Sequence, residues 1–335
     1  MQLIRNYMNH FQATYVLFYG VELGLFDAMK KIGNTFSADK LAMERNYYTP
    51  FVEYWCRAAY AIGVLDYKNN SQYAISNEWL DMFTNSKSNS YARFLPLCHI
   101  EIAGLFSRLK SSFKTGKTFG FDDNTKKFIK AVEGDGIRFT NNLLNTIIPK
   151  IPKLEKPLRA GATILDIGCG TANNLITLAK HFPKSKFIGV DISEKSICYA
   201  KEAIRKEKLT SRISVHCECA SKFLAKNEID VITFIESLHE INVNVREKIF
   251  HNAYQLLKQD GILVVIDCIT PDKLSDLRKE EYQTAAIMQW FEMTWGTSVP
   301  KRNEVNQLLT SHHFTKLNEI PIADVIMAGY AKKEK

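Results

Sequence analysis

From about residue 162 onward, short apolar runs alternate with stretches whose apolar positions recur every three to four residues. The runs at 162–167, 186–190, 212–217, 229–235 and 260–268 are rich in Val and Ile and bounded by polar or glycine-containing segments, so they predict strands. Helical segments between most of them predict crossover connections, hence an α/β, mostly parallel, doubly wound sheet. Two further runs, near 314–320 and 325–331, are separated at Pro321 and predict an antiparallel pair at one edge, which brings the sheet to seven strands. Before residue 149 the pattern is mainly helical. Val16, Leu17, Val21, Leu23, Leu25, Phe26 and Met29 contain three- and four-residue spacings, as in Leu17–Val21–Leu25–Met29 and Leu23–Phe26–Met29, which predict a buried helix pair. Ser37 can cap a second helical stretch, and a third runs from Pro50 to a stop at Gly63. Residues 65–76 alternate about Asn69 and Asn70 as a small hairpin does. Helix, helix, helix, hairpin is a winged-helix order.

The segment 149–161 holds Pro149, Pro152 and Pro157 without periodic apolar positions, and marks a linker or boundary. The expected domains are therefore a winged-helix-like unit at 1–90, connecting helices and linker at 91–160, and a sheet domain at 161–335. A chain of 335 residues with 46% hydrophobic content can fill two cores. Its apolar runs are far shorter than the roughly 20 residues of a bilayer span, and its first residues lack a secretory pattern. The seven cysteines are odd in number and scattered, which points to a reduced, cytoplasmic setting. A formal charge of +8 raises the question of nucleic acid. The lysines are dispersed among acids, as in 201–209, so neither nucleic acid nor a membrane is the expected partner.

The chemistry concentrates in residues 163–173, TILDIGCGTAN, and in GVDIS at 189–193. An apolar strand ends in Asp166, two glycines spaced by one residue follow, a helix begins, and the next strand delivers Asp191 to the same rim. Glycines at 168 and 170 let backbone turn sharply and approach a ligand. A dinucleotide site wants a third glycine where Asn173 stands, and a carboxylate at Asp166 would repel a pyrophosphate. A cationic ligand accounts for that acid better. S-adenosylmethionine carries an ammonium and a sulfonium, and its ribose diol suits a carboxylate accepting two hydrogen bonds.

These two motifs resemble those of class I S-adenosylmethionine-dependent methyltransferases. VELGLFDAM (21–29), DKLA (39–42), AIGVLDY (61–67) and YAIS (73–76) are similar to the winged-helix dimerisation domain of small-molecule O-methyltransferases, and FKTGKTFGF (113–121) resembles the connecting helix of that family. The resemblance implies S-adenosylmethionine contacts from Asp166, Gly168 and Gly170, a ribose contact from Asp191, adenine packing by Ile192, a further contact at Glu236, and a homodimer. Two positions depart from the pattern. Ala172 replaces a usual glycine, and in HCECAS (216–221) Cys219 stands where an acid often meets the adenine amino group, leaving backbone atoms of Cys219 and Ala220 to hold the ring. Cys217 and Cys219 also form a CxC pair on one strand face, without a second pair to complete a metal site.

Methyl transfer to an oxygen needs a base for the acceptor's proton. Of eight histidines, His239 in FIESLHEI combines a position after the fourth strand with adjacent acids. The resemblance carries the base to His239, its acidic neighbour to Glu240 and the orienting carboxylate to Asp267, which ends the fifth strand. An acceptor pocket is expected from Met288, Phe291 and Trp295 in MQWFEMTW, with Phe94, Leu97 and Ile100 from the connecting helices. Relatives that methylate a carbon α to a keto acid hold a metal with histidines near these positions; here His239 and Glu292 are the alternative ligands, against a reading without metal. Outside enzymes, a winged-helix regulator sensing S-adenosylmethionine would use residues 50–62 as its recognition helix, which offers one arginine among many apolar side chains.

Overall fold

The computed structural model describes residues 1–225, 228–322 and 326–334. It forms two compact units, Met1–Leu105 with Lys130–Arg138, and Phe106–Ile129 with Phe139–Lys335.

The first unit follows the expected helix, helix, helix, hairpin order. Gln2–Glu22 and Leu25–Ile32 are separate helices because Gly24, at φ 65°, turns the chain between them. Ser37 caps Ala38–Arg45 by accepting from Lys40 N at 3.2 Å, and Pro50 opens Thr49–Ala61. Strands β1 (Thr35–Phe36), β2 (Asp66–Lys68) and β3 (Gln72–Ala74) form an antiparallel sheet in the order β1-β3-β2. Phe26 stacks on Phe83 with ring centres 4.3 Å apart in the middle of the core. The helix Gln2–Glu22 starts earlier than its apolar pattern predicts, because most of its apolar side chains do not face that core. Only Gly20 and Val21 are buried, whereas Leu3, Ile4, Tyr7, Met8 and Phe11 are exposed.

In the second unit, β4 (Thr163–Ile167), β5 (Lys186–Asp191), β6 (Ile213–Cys217), β7 (Ile229–Ile235), β8 (Leu257–Cys268), β9 (Asn318–Glu319) and β10 (Ile326–Lys332) form one sheet in the order β6-β5-β4-β7-β8-β10-β9. Strands β4 to β8 pair in parallel, and β10 is antiparallel to both β8 and β9. The expected edge pair is thus present, with β10 inserted beside β8. The part of that expectation at Val325 lies outside the described residues. Chain order reverses beside β4, which runs first to β5 and then back to β7. That switch point opens a crevice beyond the strand ends. Register places Asp166 beside Gly189 on one side and Thr233 on the other.

Three features differ from the sequence reading. The segment 149–161 is not a free linker, since Ile151, Leu154 and Leu158 are buried in one core of the large sheet, as are Phe139, Leu143, Ile147 and Ile148 just before it. Each such side chain contributes roughly 1.5–3 kcal/mol of burial, which ties the segment to the second unit. FKTGKTFGF is not one helix: Leu109–Thr115 stops at Gly116, whose φ of 67° ends it, and a short 3-10 turn follows at Phe121–Asp123. Finally, Cys217 is the last residue of β6 while Cys219 lies beyond it, and their sulfurs take different partners, Ile192 O at 3.8 Å and Ser221 Oγ at 3.2 Å. No helix among the described residues is long and apolar enough to cross a membrane.

Candidate functional site

The loop after β4 turns at two glycines in the left-handed region, the first of them also tightly packed. Gly168 has φ 75°, and a Cβ there would lie 2.5 Å from Cβ of Ser237; Gly170 has φ 51°. On β5, a Cβ at Gly189 would fall 2.5 Å from the Cys169 sulfur, so the loop rests directly on the neighbouring strand. Gly168 N and Cys169 N both donate to Val190 O, at 2.8 and 3.2 Å. The helix Asn173–His181 then starts from Ala172, which adopts φ 65° where the sequence reading noted a missing glycine.

Asp166 is fully buried at the end of β4. Its Oδ1 accepts from Thr233 Oγ1 at 2.6 Å, and its Oδ2 has no hydrogen-bond partner among the described residues. Burial, opposed by the Thr233 hydrogen bond and reinforced by nearby Asp191, pushes this carboxyl from 3.8 up to about 7. A buried carboxylate oxygen without a donor costs free energy that a cationic or hydrogen-bonding ligand would remove. Asp191, one strand over, differs: Gly170 N donates to its Oδ2 at 2.9 Å and Ser193 N to its Oδ1 at 2.8 Å. Each oxygen keeps a further acceptor site for a diol. Burial raises Asp191 too, with the backbone donors acting against it. The ammonium and ribose of S-adenosylmethionine fit these two acids.

Around the far end of that crevice, Ile192 is 74% exposed, an apolar side chain open to a flat ring. The carbonyls of Cys219 and Ala220 each already accept one bond, from Lys222 N at 2.9 Å and Asn252 Nδ2 at 2.7 Å. Each therefore has one lone pair left for an adenine amino group. Glu236 closes β7 with φ 52°, and its N donates to Ile266 O at 2.7 Å.

The same rim carries the candidate base. His239 is 5% exposed, and its Nδ1 lies 2.6 Å from Oδ1 of the fully buried Asp267 at the end of β8. Asp267 Oδ2 accepts from Leu238 N at 2.7 Å and His239 N at 3.2 Å, so both of its oxygens are committed to the histidine and its turn. This bond fixes Nδ1 as the protonated nitrogen and leaves Nε2 to accept. Burial works against a charged imidazole, but Asp267, Glu292 and Glu240 outweigh it and raise His239 well above its ordinary value. Glu240 and Glu292 are raised in turn by burial, with His239 acting to lower them. One ligand-capable atom each from His239, Glu240 and Glu292 lies within 4.8 Å of the others. Glu236, Asp267 and Cys268 make a second such group, in which Asp267 already accepts three hydrogen bonds from His239 and its turn.

Of the pocket residues expected, Met288, Phe291 and Trp295 all lie in the second unit. Phe291 and Trp295 pack edge to face at 4.8 Å, Phe121 lies 5.9 Å from Trp295, and Met288 is half-buried on the same helix, Glu280–Glu292. Glu292 ends that helix and accepts from Thr297 Oγ1 at 3.0 Å through Oε2. Trp295 Nε1 is a buried donor without a partner among the described residues. Phe94, Leu97 and Ile100 belong to the first unit, where the Phe94 ring lies against Gly134 and Leu97 packs on the core. Sequence reasoning missed Thr233, though a polar residue inside the apolar run of β7 was a usable signal. Asp122 was missed as well, and no local signal marks it.

Residues 158–320 match the methyltransferase-domain family. The demethylmenaquinone methyltransferase of Bacteroides fragilis is 33% identical over 119 residues, 35% of this chain and 47% of that protein. The ribosomal protein L11 methyltransferase of Thermotoga petrophila is 27% identical over 171 residues, 50% of this chain and 61% of that one. The chain thus spans about half the length of the curated relatives it matches. Among solved structures, an O-methyltransferase family protein from Burkholderia thailandensis superposes with a TM-score of 0.71 at 14% identity, covering 99% of this chain and 97% of that chain. Human N-acetylserotonin methyltransferase, in complex with S-adenosylmethionine, gives 0.67 at 16% identity over 100% and 97%. Those likenesses establish the fold of both units.

Proposed function

We propose that this chain, which belongs to the class I S-adenosylmethionine-dependent methyltransferases, transfers a methyl group to a hydroxyl oxygen of a small molecule, with His239 as general base. The observation that carries the reading is the buried His239–Asp267 pair at the strand-end rim that also bears Asp166 and Asp191. S-adenosylmethionine supplies an electrophilic methyl group when bound. Asp166 would receive its ammonium on the unpartnered Oδ2, Asp191 the ribose diol, and Ile192, Cys219 and Ala220 the adenine, with Glu236 at the edge.

His239 does its work from Nε2. In the neutral state this nitrogen accepts the hydroxyl proton as the oxygen becomes nucleophilic. Asp267 holds the ring through Nδ1–H and stabilises the imidazolium that results, as the acid of a triad does. Glu240 and Glu292 add negative potential on the same proton, which makes His239 a strong base at the cost of a small neutral fraction at low pH. Phe291 and Trp295 present apolar faces suited to an aromatic or otherwise flat acceptor. Incubation with methyl-labelled S-adenosylmethionine and a panel of phenols, aliphatic alcohols and α-keto acids tests the reading. Label appearing on a hydroxyl oxygen supports it, and label on carbon alone contradicts it.

One observation favours a second reading, metal-assisted methylation at carbon. His239, Glu240 and Glu292 could hold a divalent ion, with Asp267 as the carboxylate behind the histidine. Stoichiometric iron or zinc in the purified protein, with activity abolished by a chelator, would replace the simple base mechanism.

A second copy is the proposed partner of the first unit. A helix of 21 residues with two buried positions leaves Leu3, Tyr7 and Phe11 on one stripe at four-residue spacing, an area that stands alone poorly. On Thr49–Ala61, the one arginine, Arg57, pairs with Glu53 at 2.8 Å while Phe51 and Tyr54 are exposed, which suits protein contact better than DNA. Light scattering should give a dimer mass, and Phe11→Glu should lower it.

A further inference from the structure

We infer that residues 118–124 form a strap that couples cofactor seating to the acceptor wall, with Asp122 as the positioning residue. The inference rests on the S-adenosylmethionine reading of the crevice. At one end the strap is fixed to the acceptor side: Phe119 N donates to Thr294 O at 2.7 Å, and Thr118 lies against Gly296, where a Cβ would meet Thr118 Cγ2 at 3.3 Å. At the other end it is fixed to the cofactor side. Asp122 Oδ1 accepts from Ser193 Oγ at 2.5 Å, its Oδ2 accepts from Glu194 N at 3.1 Å, and Lys195 Nζ donates to its carbonyl.

Ser193 is the shared element. Its backbone N donates to Asp191 and its hydroxyl to Asp122, so one residue carries both the acid that would hold the ribose and the acid that holds the strap. The hydroxyl is buried and also lies 2.9 Å from Ser196 Oγ, which leaves it little freedom to reorient. Between the two anchors, Phe121 packs on Phe128 and on Trp295, and Trp295 packs on Phe291 beside Glu292. A ligand that shifts or rigidifies Asp191 therefore acts, through packed and hydrogen-bonded groups, on the aromatic wall next to His239. Asp122 also faces Asp191 as a like charge and raises it, so accepting donors at Asp191 relieves a repulsion across the same serine. The consequence is a coupling: filling the cofactor crevice firms the acceptor wall through contacts that are already in place. No covalent step is involved.

The test uses S-adenosylhomocysteine, which fills the crevice without reacting, and hydrogen exchange followed by mass spectrometry on the full chain. In the parent protein its addition should slow exchange in peptides covering 117–124 and 289–297, as well as in 166–193, by about 5- to 100-fold, the usual range of coupling between linked sites. In Asp122→Ala the slowing at 166–193 should persist while that at 289–297 is lost, and Asp122→Asn, which keeps one acceptor oxygen for Ser193, should restore part of it. Calorimetric affinity for S-adenosylhomocysteine separates the failures. Normal binding with unchanged exchange at 289–297 in the parent overturns the strap alone, as does full protection at 289–297 in Asp122→Ala. Absence of binding overturns the cofactor reading and the strap with it.

Discussion

Replacing Asp166 by Asn should make the protein more stable and at the same time unable to hold its cofactor. In the unfolded chain this carboxyl titrates near its ordinary 3.8, and in the fold near 7. Because the folded pKa is raised, the fold binds the proton more tightly, and stability falls as pH rises from about 4 to about 7, then levels off. The gap between 3.8 and about 7 corresponds to about 4 kcal/mol lost at pH 8 relative to a neutral group. Asn keeps the size, and its Oδ1 can still accept from Thr233, but it carries no charge to desolvate. The ligand-free variant should therefore melt on the order of 5–10 °C higher at pH 8, and no higher at pH 4, where Asp166 is protonated in the fold. Thermal melts at both pH values, with and without S-adenosylmethionine, check this. The parent should gain stability from the ligand by mass action, and the variant should gain little. A variant less stable than the parent at pH 8, or one that binds with unchanged calorimetric affinity, would refute the reasoning from the orphaned oxygen.

Glu292→Gln removes a carboxylate that raises His239, so the acid limb of the pH–rate profile should move toward lower pH; several-fold more activity retained at the acid end, relative to each protein's own plateau, would confirm the sign. An unmoved limb would mean that His239 is not the titrating base or that Glu292 does not sense it. Gly168→Ala places a Cβ at 2.5 Å from Ser237 in a left-handed backbone. A loss of about 1–3 kcal/mol in urea melts, together with weaker S-adenosylhomocysteine binding by calorimetry, is expected, whereas an unperturbed melt would contradict the tight loop.

Strand positions in the second unit were legible because buried parallel strands read as continuous Val- and Ile-rich runs, and all five came out within a few residues. The one sizeable shift, β8 beginning at Leu257 rather than 260, follows an irregular stretch where Asp260 adopts φ 62° and the pairing with β7 changes register. Asp166, Asp191 and His239 were legible as candidates because each lies at or shortly after the end of a parallel strand, on one rim of the sheet. Their partners were not. Thr233 meets Asp166 across 67 residues, and Asp122 meets Ser193 across 71, and such pairings follow from topology that no local period encodes. The long exposed helix at the start of the chain was cut short for a related reason: periodicity finds faces that bury within the chain, and this face has no such partner.

In the proposed mechanism His239 removes the acceptor's proton in a site whose cofactor contacts lie on other residues. Single-turnover methyl transfer from labelled S-adenosylmethionine, measured for the parent and for His239→Ala with an acceptor that the parent methylates, tests it most directly. The rate should fall by about 10²–10⁴-fold, with calorimetric affinity for S-adenosylmethionine within about twofold of the parent. Transfer at the parent rate by His239→Ala would contradict it.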